Sequence, residues 1–76
     1  MPPFRISVTN ENFQTSNDHD FASLAAAIDH AIRGALNIGT DEIVGGKSYF
    51  GAEVTVKQDG AEGARFVVSA GVSALR

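Results

Sequence analysis

Polar and apolar residues alternate at the start of the chain. Phe4, Ile6 and Val8 interleave with Arg5, Ser7 and Thr9, the period-2 signature of a half-buried strand. Pro2 and Pro3 cannot donate to a strand ladder and suit its lead-in. Asn10-Glu11-Asn12 favours a turn, and Phe13 to Ser16 is expected to return as a short second strand, with Phe13 and Thr15 on one face. Asn17-Asp18-His19-Asp20 then reads as a polar turn, and Asp20 or Ser23 as the cap of a helix.

The period changes after that cap. At 100° per residue, Phe21, Leu24, Ala25, Ala27, Ile28, Ala31, Ile32, Ala35, Leu36 and Ile38 fall on one broad arc. Asp29, His30, Arg33, Asn37, Thr40 and Asp41 fall opposite. Continued past Gly39, the helix keeps Gly39 and Ile43 on the apolar arc, with Glu42 as the misfit. The pattern predicts a helix to about Val44, stopped by Gly45-Gly46. A mid-helix Gly costs about 1 kcal/mol relative to Ala, which a close approach of helix to sheet would explain.

Alternation returns from Tyr49 to Lys57, with Phe50, Ala52, Val54 and Val56 on one face. Gln58 to Ala64, containing Asp59-Gly60 and Gly63, is expected to be a hairpin loop. Arg65 to about Ser73 is the last predicted strand, with Phe66, Val68, Ala70 and Val72 inward. The order is strand, strand, helix, strand, strand. The expected fold is α+β: a four-stranded antiparallel sheet (ββαββ) with one amphipathic helix on one face, in a single domain over residues 1–76. The open face should carry Arg5, Ser7, Thr9, Glu53, Thr55, Lys57, Val67 and Ser69. These eight are the candidate interface.

Composition narrows the function. At 76 residues with no Cys, the chain has no disulfide or thiolate metal site to reinforce a small core, and self-association is the common substitute. Its net charge is −3, and Arg5, Arg33, Lys47, Lys57, Arg65 and Arg76 are scattered, which disfavours direct nucleic-acid binding. No apolar stretch approaches a membrane span and no secretory h-region follows Met1, so a cytoplasmic location is the expectation.

Candidate chemistry adds little. Asp18-His19-Asp20 could orient an imidazole or offer metal ligands, but no second His stands at ligand spacing, and a solvated turn with capping carboxylates is the simpler account. Asp29 and Arg33 are spaced i, i+4 for a surface ion pair beside His30. Thr40-Asp41-Glu42 and Glu53 set acids near Lys47 without any sign that they meet. Gly45-Gly46-Lys47-Ser48 resembles the end of a phosphate loop, yet Asp41 occupies the first Gly position and the strand–helix order is inverted. Ser7, Ser69 and Ser73 have no Ser–His–acid set. No catalytic residue, metal site or cofactor is expected.

The chain resembles a family of short bacterial proteins known only as a domain of unknown function. Met1-Pro2-Pro3-Phe4-Arg5-Ile6, Gly39-Thr40-Asp41-Glu42-Ile43, Phe50-Gly51-Ala52-Glu53-Val54 and Arg65-Phe66-Val67-Val68-Ser69-Ala70-Gly71-Val72-Ser73 carry the resemblance across nearly the whole chain. It implies a fold and no activity. A looser similarity links the plan to dodecins, small flavin-binding oligomers, although this chain has no Trp to stack on a flavin and adds an N-terminal hairpin. The expectation is a non-enzymatic interaction module, a homodimer joined through a sheet edge or the open face. A flavin-like ligand-binding oligomer and an antitoxin-like regulator are the alternatives.

Overall fold

The computed structural model describes residues 3–75. In chain order they form β1 (Pro3–Thr9), β2 (Gln14–Asp20), α1 (Leu24–Val44), β3 (Tyr49–Gln58) and β4 (Ala61–Gly71). The strands make one antiparallel sheet in the order β2-β1-β3-β4, so the α+β ββαββ plan holds. Pro3 opens β1; Pro2 lies outside the described residues.

Ser23 starts the helix. Its backbone is extended, and its Oγ accepts the Ala26 N–H at 3.2 Å. Asp20 does not cap, because it stays in β2 opposite Pro3. The helix therefore begins three residues after Phe21, which packs instead on Phe4 with ring centres 6.1 Å apart. At the far end the Gly45, Gly46 and Lys47 N–H groups donate to the carbonyls of Asp41, Ile43 and Glu42, closing the helix where the two glycines predict.

Gly39 lies within the helix, and its place is steric. Ala27, Ala31, Ala35 and Gly39 recur every four residues and are all buried. This row of small residues lets the helix backbone settle onto the sheet. A Cβ at Gly39 would stand 2.7 Å from Cδ2 of Phe50, inside van der Waals contact. Against the row pack Phe4, Ile6 and Val8 from β1, Phe50, Ala52, Val54 and Val56 from β3, and Val68 from β4. Phe66, expected in this core, is only partly buried at its margin.

The helix is not centred on the sheet. It packs on β3 and β4, grazes β1 and leaves β2 uncovered. Its apolar arc is consequently wider than the surface that it buries. Ile32 and Leu36, expected to face the sheet, remain 37% and 40% exposed.

Three boundaries differ from the sequence reading. The second strand runs over Gln14–Asp20 rather than Phe13–Ser16, so Asn17-Asp18-His19-Asp20 is strand and not turn. Phe13 belongs to the connection, where its carbonyl accepts the Asn10 N–H. Polar side chains add to the β1–β2 ladder: Arg5 donates two bonds to Asp18, at 2.9 and 3.0 Å, and the Ser7 and Ser16 hydroxyls meet at 2.9 Å. The expected 58–64 loop is a two-residue turn, because Asp59 and Gly60 both take positive φ (52° and 77°), the combination that matches hairpin twist. β4 thus starts at Ala61, and it absorbs Gly63 as a bulge, since Val56 pairs with Ala64 but Lys57 with Glu62. Finally, β4 ends at Gly71 rather than Ser73, although the Val72 N–H still donates to the Ser48 carbonyl.

Candidate functional site

Strand pairing brings the eight candidate interface residues onto the face away from the helix. Arg5 pairs with Lys57, Ser7 with Thr55 and Thr9 with Glu53 across β1 and β3; β4 adds Val67 opposite Glu53 and Ser69 opposite Gly51. Two ion pairs neutralise much of its charge: Arg5 with Asp18, and Glu53 with Arg65 at 3.0 Å. The hydrogen bonds from Arg5 hold the Asp18 carboxyl below its ordinary pKa, and those to Glu53 raise the Arg65 guanidinium above its own. A depression of about 370 Å³ between Pro3, Phe4, Arg5, Asp18, Lys57, Asp59 and Gly60 mixes both charge signs.

The outer edge of β4 has a different character. β4 is the last strand of the sheet, so one side of its 11-residue backbone has no strand partner. His30, Gly34 and Ile38 on the helix line a groove toward β1 and β2. Ile32 and Leu36 occupy the opposite flank of the helix and stay partly exposed. Val67, 68% exposed, adds apolar surface on the open face of β4, and Val72, 59% exposed, follows just after the strand. Sequence reasoning assigned Ile32 and Leu36 to the core, since an arc on a helical wheel does not say how much of it the sheet covers.

On the β1–β2 side of the helix, aromatic rings cluster. His19 and His30 have ring centres 4.9 Å apart, and Phe21 lies 5.8 Å from the first and 5.1 Å from the second. They border a groove of about 140 Å³ with an apolar floor of Ile6, Val8, Ala31 and Ile38 and a polar rim of Thr15, Asn17 and the two imidazoles. This pairing corrects the sequence reading. The pleat of β2 separates the Asp18-His19-Asp20 cluster, sending Asp18 to Arg5 and His19 to the helix side opposite Phe4. His30, read as plain helix surface, is the second imidazole. Only an extension of the second strand through His19 could have shown the pair in advance.

The remaining candidates settle as structural groups. Asp29 and Arg33 form their helix ion pair at 3.0 Å. Lys47 meets Glu42 at 3.1 Å, while Glu53 turns to Arg65 instead. Gly45 to Ser48 is the helix stop and turn. Among the described residues, no three His, Asp or Glu side chains converge as a metal site, and no helix is long and apolar enough to cross a membrane. No family model, curated protein or solved structure matches the chain.

Proposed function

We propose that this chain is a non-enzymatic interaction module that forms a homodimer by joining β4 edges. The observation that supports this most is the 11-residue edge of β4 without a strand partner, together with partly exposed Ile32 and Leu36 on the helix flank away from β1 and β2. Such an edge adds strands from a partner through backbone hydrogen bonds, and apolar flanking surface makes the union favourable. A second copy suits it electrostatically. Antiparallel self-pairing about Val67 sets Phe66 opposite Val68 and Arg65 opposite Ser69, so no like charges face each other. Arg65 is already neutralised by Glu53 within its own chain. The reading fits a cytoplasmic protein of the small bacterial family that the sequence resembles.

Gel filtration with light scattering tests it. The expected mass at about 100 µM, where even a micromolar dimer is mostly assembled, is twice the 8.0 kDa of one chain. A strict monomer there overturns the proposal. Ile32→Glu combined with Leu36→Glu should yield a folded monomer, whereas Ser7→Arg on the open face should leave the dimer intact. The reverse result would move the interface to the open face.

A further inference from the structure

The groove between the helix and β1–β2 holds two imidazoles that the dimer does not use. We propose that His19 and His30 form a two-ligand site for a borderline divalent cation of the Ni²⁺, Cu²⁺ and Zn²⁺ class.

A metal–nitrogen bond of about 2.0–2.1 Å places the ion roughly 3.2 Å from the centre of each imidazole. Two rings bound at angles between octahedral and tetrahedral values then have centres about 4.5–5.2 Å apart. His19 and His30 are 4.9 Å apart and tilted by 53°. Their backbones are fixed by separate elements: His19 by its pairing with Phe4, His30 by the second turn of the helix. Phe21 flanks both rings, its ring centre 5.8 Å from that of His19 and 5.1 Å from that of His30.

The donor set decides which ion. Neutral imidazole suits Ni²⁺, Cu²⁺ and Zn²⁺, whereas Ca²⁺ and Mg²⁺ require oxygen ligands. No carboxylate lines the groove; Asn17 and Thr15 supply the only side-chain oxygens on its rim. With two protein nitrogens, water fills the remaining positions, so the site is exchangeable rather than a structural metal centre.

The test uses the tag-free full chain near neutral pH. About 1 mM Ni²⁺ should raise the midpoint of thermal unfolding by roughly 5 °C, and Mg²⁺ at the same concentration should not. His19→Ala and His30→Ala should each abolish the rise. Zn²⁺ titration followed by NMR should shift both imidazole ring signals together and saturate at one ion per chain. This readout needs no variant to fold. No Ni²⁺ effect, an effect that survives either substitution, or ring signals that fail to move together would overturn the proposal.

Discussion

The two edges of this sheet are built on opposite principles. β2 exposes all seven of its residues, every one of them polar, and the helix does not cover it. Its ladder to β1 holds it, with the Arg5–Asp18 fork and the Ser7–Ser16 pair added on the exposed surface. β4 lies under the helix, with Val68 buried and Phe66 and Ala64 packed at the margin of the core. One edge is a polar flap that meets the helix through His19. The other is part of the core, cut off at the strand boundary. A charged, polar edge resists joining another chain, and an apolar one invites it. The off-centre position of a single helix creates this difference.

The contrast can be broken most severely on the covered side. Phe50→Ala removes a ring that fills the space beneath Gly39, and should cost about 3–5 kcal/mol. Total stability at typical per-residue values is roughly 4–11 kcal/mol, so denaturant titration should show a chain close to unfolding. Gly39→Val places its Cβ against the same ring and should cost about 1–3 kcal/mol by overpacking. Adding Phe50→Leu should recover part of that loss, and simple additivity of the two changes would show that they do not meet. Ile32→Glu with Leu36→Glu should weaken dimerisation at least about tenfold and, because both side chains are more than half buried, cost monomer unfolding about 1–3 kcal/mol.

The smallest effect belongs to the polar edge. Hydrogen bonds from Arg5 depress the Asp18 pKa in the folded chain. The unfolded chain takes up that proton more readily as acid is added. The contribution of Asp18 is therefore complete above the ordinary carboxylate range and is lost as pH falls through its depressed folded value. Asp18→Asn should flatten that portion of the stability–pH curve and leave neutral-pH unfolding almost unchanged, because the pair lies exposed on the surface. A large loss at neutral pH would show β2 to be more than a flap.

What could be read from the sequence follows the same division. Wherever the helix covers the sheet, burial imposes a period: Phe50 to Val56 alternate and Ala27 to Gly39 recur every fourth residue. These elements, and the closeness of Gly39 to the sheet, were legible. β2 has no buried face and so no pattern; Asn17 to Asp20 look like turn residues because nothing apolar marks them as strand. The same blindness concealed the His19–His30 pair, which exists only because β2 continues past Ser16. Ile32 and Leu36 failed in the other direction. They have the right period, but no local signal tells how far the sheet extends beneath them.

The order β2-β1-β3-β4 also bears on how the chain reaches its fold. Each outer strand joins its neighbour through a short turn, so both hairpins can form early and independently. Only the β1–β3 seam, with Ile6 opposite Val56 and Val8 opposite Val54, unites the beginning of the chain with its end. Closing it gathers the whole intervening helix into one loop, whose entropy must be spent before the core rewards it. Folding speed should be governed by that seam, and Ile6 and Val54 rather than any turn residue are the positions whose truncation slows folding.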